Sequence, residues 1–404
     1  MSEIPVKEPV FTLSAGPVAV YPRVLRAMAR PVHYDFDIFF QTFYEGVVRK
    51  LMTALRTSEP VLILHCEPAP GLEAAAASLI SGQDVVLNLV SGVYGKGFGI
   101  WAARYAKEVH EVEVPYNEAI DPAAVEAVLR KRPETAIVSV VHHDTPSGTL
   151  NPIVEIGRVV RKHGALLLVD AVSSFAGMNI HPDDCNADIF VTGPGKCLGG
   201  PPALTIMGMS GRAWTHIEGN PTAPRDSILS LLDWKEAWRK DRPFPFTPSV
   251  AEVHALDAAV DGYLEEGPAT VWARHALTAR ACRAGVKAMG LTLWPARESI
   301  AAPTTTAVRI PDGLRDTDII AAARALLGTI FSRGRGETLG KLLRIGHMGP
   351  AAEPGYVAVA ICALGGALRR LGHAVDIGAG IEAAMTEIAK APKDQAPRIT
   401  ATGA

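Results

Sequence analysis

Short runs of β-branched and leucine-rich residues recur through the first half of the chain, several of them apolar throughout. They cover Val61–His65, Val85–Ser91, Val109–Val114, Ala136–His142, Ala165–Asp170, Asp188–Thr192 and Ala203–Met207. A strand with water on one face alternates apolar and polar residues, whereas a continuously apolar one is buried on both faces, as in a parallel sheet. Between the runs lie stretches with helical spacing of apolar residues: Leu72–Ile80, Gly97–Lys107, Pro122–Lys131 and Pro152–His163. Strands alternating with helices predict βαβ units, here an α/β layer with a mainly parallel sheet of seven strands and helices on both faces. Asp121-Pro122 and Asn151-Pro152 each set a capping residue before a proline, so both helices are expected to start there. From about Pro248 the pattern changes. Ala251–Glu266 and Thr270–Met289 predict two long helices, and the smaller α+β region after them has strands expected at Thr305–Ile310 and Val357–Ala360. The expected division is an N-terminal segment 1–18, a large α/β domain 19–265, a small C-terminal domain 266–390 and a disordered tail 391–404.

Composition narrows the function. At 404 residues, 48% hydrophobic and 20% charged, the chain has the make-up of a large globular core and not of a disordered polymer. Forty Lys and Arg against forty-two Asp and Glu leave a net charge of −2 with no basic block, which argues against nucleic acid or an anionic membrane as partner. The longest apolar run, Tyr356–Leu368, is too short to span a bilayer. Five cysteines (Cys66, Cys185, Cys197, Cys282 and Cys362) are scattered without metal-ligand spacing, as in a reducing compartment, and no metal is expected. No apolar secretory stretch opens the sequence. The expectation is a cytoplasmic enzyme acting on small molecules.

In an open α/β sheet, ligands bind beyond the carboxyl ends of the strands. The segments there are His65-Cys-Glu67, Ser91-Gly-Val-Tyr94-Gly, His142-His-Asp-Thr145, Asp170-Ala-Val172 and Thr192-Gly-Pro-Gly-Lys196. An aspartate ending one strand, with a lysine in a glycine-rich loop 26 residues later, is what pyridoxal chemistry requires. The lysine forms the Schiff base, and the carboxylate keeps the pyridine nitrogen protonated so that the ring draws electrons. A P-loop does not fit Gly195-Lys196, because Phe190 stands at its first glycine and Cys197 at its Ser/Thr. Gly95, Gly97 and Gly99 lack dinucleotide-fingerprint spacing. His142 and His143, adjacent on a strand, point to opposite faces and read as buried residues, not as a ligand pair.

The ordered series resembles the class V aminotransferases of the aspartate-aminotransferase fold (fold type I of the pyridoxal-phosphate enzymes), from Ser14-Ala-Gly-Pro17 to about Met348. His142-x-Asp-Thr145-x-Ser-Gly148 matches the family's His-x-Glu-Ser-x-Thr-Gly, Asp170-Ala-Val172 its Asp-Ser-Val, and Lys196-x-Leu-x-x-Pro-Pro its lysine loop. The resemblance implies that Lys196 and Asp170 are catalytic. It also implies that Tyr94 stacks on the pyridine, Thr145 contacts its O3′ and Val172 packs the opposite face. Arg344, helped by Arg335, would grip the keto-acid carboxylate, since a guanidinium holds a carboxylate through two parallel donors. Family active sites form at a dimer interface, so a homodimer or homotetramer is implied, with Thr247 as a cross-subunit residue.

The departures from the pattern are informative. Phosphate-binding turns use free backbone N–H groups at a helix N-terminus. The family's Ser-Gly-His turn is here Glu67-Pro68-Ala69, followed by Pro70. Two donors are lost, and a carboxylate placed in a partly buried site repels a dianion. Gly195 replaces a polar residue before the lysine, and Phe244-Pro-Phe-Thr247 replaces a Tyr-x-x-Thr. Cys66 and Pro70 are further local departures. The resemblance is therefore sharpest to family members that take unphosphorylated pyridoxamine and pyridoxal as substrates. These exchange an amino group with pyruvate and L-alanine in vitamin B6 degradation. No retained pyridoxal phosphate is expected, and Glu67 would accept from a 5′-hydroxymethyl. The alternatives are a conventional phosphate-dependent alanine or serine transaminase using glyoxylate or pyruvate, a cysteine desulfurase, and a nonenzymatic B6 sensor. Gly195 before Lys196 disfavours the desulfurase, which has His there, and the Arg335/Arg344 pair disfavours the sensor.

Overall fold

The computed structural model describes residues 8–239, 242 and 244–391. Thirteen strands occur among them: β1 Phe11–Leu13, β2 Leu62–Leu64, β3 Val85–Val90, β4 Glu108–Glu113, β5 Thr135–Val141, β6 His143–Asp144, β7 Thr149–Leu150, β8 Leu166–Asp170, β9 Ile189–Thr192, β10 Thr205–Met209, β11 Thr305–Arg309, β12 Thr329–Arg333 and β13 Leu342–Gly346. Seven form one sheet in the order β2-β10-β9-β8-β5-β3-β4. All seven were expected, within about two residues at each end. The pairs β3–β4, β3–β5, β5–β8 and β8–β9 are parallel, while β10 runs antiparallel to both β9 and β2. The segments after β2, β3, β5, β8 and β9 therefore converge on one edge.

A second sheet, in the order β1-β12-β13-β11, contains the N-terminal strand. β1 pairs parallel with β12, and β13 pairs antiparallel with both β12 and β11. Two apolar clusters underlie the two sheets. The larger includes Leu87, Val138, Leu168 and Phe190; the smaller includes Leu13, Ile345, Val357 and Ile361. The helix Pro268–Ala288 contributes Val271 to the first and Cys282 and Val286 to the second.

Two local expectations need correcting. Val357–Ala360 is not a strand but part of the helix Pro354–Arg370. Periodicity alone cannot separate a buried strand from a buried helix in a continuous apolar run, and here the run's length decides for a helix. Asn151 does not cap the following helix, whose N-cap is Pro152. Its side chain donates to Ser91 Oγ and the Val141 carbonyl (both 2.7 Å) and accepts from the Ile120 N–H, tying three strand ends together. Asp121 does cap its helix, accepting from the Ala123 N–H at 2.9 Å. All five cysteines are free thiols. No helix among the described residues is long and apolar enough to cross a membrane. Of the tail, all but Ala391 lies outside the described residues.

Candidate active site

Lys196 follows the end of β9 in a turn and is half-buried against the N-terminal segment. Its Nζ donates to the Ala15 carbonyl at 2.9 Å. The approach requires a glycine at 16: a Cβ there would stand 2.1 Å from Nζ, and Gly16 has φ +110°. Asp170, the last residue of β8, is buried and accepts from the Val172 N–H at 2.9 Å. Burial pushes its carboxyl up to about 6, against the pull of the Val172 N–H and the Lys196 charge; Glu67 pushes it the same way as burial. Burial likewise pushes Lys196 down to about 8, helped by the Arg344 guanidinium. Lysine, aspartate, arginine and glutamate thus lie within one electrostatic neighbourhood.

Tyr94 and Asp170 line the same small cavity, with Leu72, Asn88 and Phe98. The Thr145 hydroxyl is buried and hydrogen-bonded to that of Ser173, three residues beyond Asp170 in the turn holding Val172. His142 and His143 are both buried, and burial lowers both, to about 4 and about 3, so they are neutral.

Asp144 was not singled out from the sequence, yet it organises this side of the site. Fully buried, it accepts from the N–H groups of Tyr94 (2.9 Å) and Gly95 (3.3 Å) at the start of the helix Val93–Tyr105. A carboxylate suits that end of a helix, where unpaired N–H groups gather. Its Oδ1 has no hydrogen-bond partner, and burial raises the carboxyl to about 7. A Cβ on residue 92 would sit 2.1 Å from its carboxyl carbon, so Gly92 beside Tyr94 was the available sequence signal.

The start of the helix Pro68–Leu79 faces the site with Glu67 as its N-cap. Prolines at the first and third positions leave Ala69 alone with an N–H to offer, because Gly71 N–H is bonded to the Glu67 carbonyl at 3.3 Å. Glu67 itself is exposed, not partly buried as expected, so water screens its charge. A side chain at 195 would meet Pro202 at 2.7 Å, which excludes a polar residue before the lysine. Phe244 is a core residue packed on Tyr44 at 5.0 Å and Phe40 at 5.9 Å, and Thr247 is exposed. Asp170 and Lys196 fit a pyridine ring, and the helix start beside them offers a 5′ substituent one early N–H and an exposed carboxylate.

Arg344 projects from β13. Its Nε and Nη2 donate to the Arg333 carbonyl at 2.9 and 2.6 Å, which fixes the guanidinium and leaves the Nη1–Nη2 end available for a carboxylate. The Arg335 guanidinium lies 5.8 Å from the centre of the Tyr94 ring, while Arg333 is taken by Asp316 at 2.8 Å. The structure thus gathers Lys196, Asp170, Tyr94, Thr145, Val172, Glu67, Arg335 and Arg344 around one edge of the large sheet.

A family model described as aminotransferase class-V matches residues 100–320. Over 381 residues the chain is 63% identical to the pyridoxamine–pyruvate transaminase of Mesorhizobium japonicum, covering 94% of this chain and 97% of that protein. It is 34% identical to an uncharacterised aminotransferase of Methanocaldococcus jannaschii, covering 93% and 96%. The crystal structure of pyridoxamine–pyruvate aminotransferase from Mesorhizobium loti superposes with a TM-score of 0.95 at 62% identity, covering 96% and 99%. Its α/β architecture is that of the pyridoxal-phosphate-dependent aminotransferases, and the chain belongs to the class V aminotransferases.

Proposed function

We propose that this aminotransferase moves an amino group from pyridoxamine to pyruvate, giving pyridoxal and L-alanine, as a step in vitamin B6 degradation. The observation that carries the reading is the helix start at Glu67-Pro68-Ala69-Pro70, which offers a carboxylate and a single early N–H where the family holds a phosphate. The relationship to the Mesorhizobium enzymes supports it.

When bound, the protonated pyridine ring withdraws electrons from the carbon carrying the transferred amine. Asp170 is suited to hold the ring nitrogen's proton: a buried carboxylate is itself stabilised by a cationic partner. Lys196, lowered to about 8 by burial and Arg344 so that a working fraction is neutral near physiological pH, carries the proton between the ring's C4′ and the Cα of alanine. Tyr94 and Val172 sandwich the ring, and Thr145 offers its hydroxyl to O3′. Glu67 accepts from the 5′-hydroxymethyl. Arg344 receives the pyruvate carboxylate on its Nη1–Nη2 end, with Arg335 adding positive charge beside Tyr94. Pyridoxal carries no phosphate to anchor it, so the product is free to leave.

Incubating dialysed protein with pyruvate and either pyridoxamine or pyridoxamine 5′-phosphate, and measuring alanine, tests the reading. Activity with the unphosphorylated amine alone is expected. Activity with the phosphate alone would favour the conventional coenzyme-retaining transaminase. For Arg344→Lys, the KM for pyruvate is expected to rise about a hundredfold, since a point charge replaces a two-pronged donor already anchored on Arg333. Initial rates against pyruvate concentration check this.

A further inference from the structure

The N-terminal segment joins the small sheet to the reactive lysine through one residue. The Ala15 N–H donates to Ser332 Oγ at 2.9 Å, and the Ala15 carbonyl accepts from Lys196 Nζ at 2.9 Å. Ala15 is 1% exposed, so neither bond is exchanged readily with water. The segment is held tightly on both sides: a Cβ at 346 would meet the Ser14 carbonyl at 2.1 Å, and one at 16 would meet Nζ itself. Ser332 also stands directly opposite Arg344 in the β12–β13 register, so the two side chains share a face of that sheet. The next residue, Arg333, supplies the carbonyl that fixes the Arg344 guanidinium. Two adjacent residues at the end of β12 therefore mount both working groups, one through the Ala15 backbone and one directly.

We propose that Ser332 is a positioning residue whose hydroxyl, acting through Ala15, sets where the Lys196 amine stands relative to the carboxylate-binding face of Arg344. With the hydroxyl in place, any displacement of the small sheet carries the Ala15 carbonyl and the guanidinium together, so the amine and the carboxylate site keep their spacing. Without it, the Ala15 N–H loses its acceptor, the segment slackens and the amine loses its fixed starting point. Arg344 keeps its own anchor on Arg333. The defect is then confined to the lysine.

This inference rests on Lys196 being the amine that captures the ring aldehyde. The test is capture of pyridoxal by ligand-free protein: borohydride added at intervals fixes the pyridoxyl group, and mass spectrometry quantifies it on the Lys196 peptide. Ser332→Ala is expected to slow capture about tenfold, the cost of a misplaced reacting group. Ser332→Thr, which keeps the hydroxyl, is expected to stay within about twofold of the parent, as is the KM for pyruvate in both variants. If Ser332→Ala does not fold, Ser332→Cys, similar in shape but a weak acceptor, is read in its place. Unchanged capture in the variant lacking the hydroxyl overturns the proposal, as does equal loss in the Ala and Thr variants or a defect confined to pyruvate KM. Parent protein that captures only pyridoxal 5′-phosphate overturns the functional reading alone, and the variant ratio is then read with that ring. Parent protein that captures neither overturns both.

Discussion

Replacing Lys196 with alanine is expected to lower steady turnover of pyridoxamine and pyruvate at least about a thousandfold, the range associated with losing a positioned proton carrier. The variant is expected to fold, because among the described residues the lysine side chain's hydrogen bond is to the Ala15 carbonyl and the turn's backbone bonds remain. Alanine formation, followed over hours against the parent, checks the loss. In the parent, the same amine sets a pH dependence whose sign can be derived. Lys196 works as the neutral form and is held down to about 8, so kcat/KM should rise with pH, by about fivefold between pH 7 and 8. A further loss is expected below pH 6 as Asp170, raised to about 6, takes up a proton. A profile that falls between pH 7 and 8 would contradict the role given to the lysine.

The second large effect is expected at Glu67. Glu67→Gln keeps the shape and an acceptor oxygen while removing the charge. Affinity for pyridoxal 5′-phosphate is expected to improve about tenfold, a modest figure because Glu67 is exposed and its charge is screened. Affinity for pyridoxal is expected to weaken about threefold, as a charge-assisted hydrogen bond becomes a neutral one. Equilibrium titrations with both rings, monitored by absorbance, read the two changes together. If both affinities stay put, Glu67 does not face the ring's 5′ side.

Much of this architecture was legible in the sequence because the chemistry lies where parallel strands end. Runs such as Val85–Val90 and Leu166–Asp170 are apolar at nearly every position, so their limits are sharp and the residues just beyond them are easily named. β1, β12 and β13 were not legible. β1 is three residues long, and β12 mixes Ser and Arg with apolar positions. Asp144 was missed for another reason. Its work is to pair with backbone N–H groups 50 residues earlier, and no local spacing encodes such a bond. Phe244, read as a lost phosphate contact, is held by the core packing of Tyr44, Phe40 and Trp234. That packing depends on residues far apart in the chain.

The contact between residue 195 and Pro202 bears on how such a site could be redesigned. A glutamine introduced before the lysine would collide with the proline ring and the backbone beneath it, and so would displace Lys196 before it reached any phosphate. The prolines at 68 and 70 are a separate obstruction on another strand's loop. On the proposed function, converting this site to coenzyme retention is therefore a concerted problem: single substitutions made one at a time would each register as damage, and only their combination, with Pro202 relieved first, would register as gain.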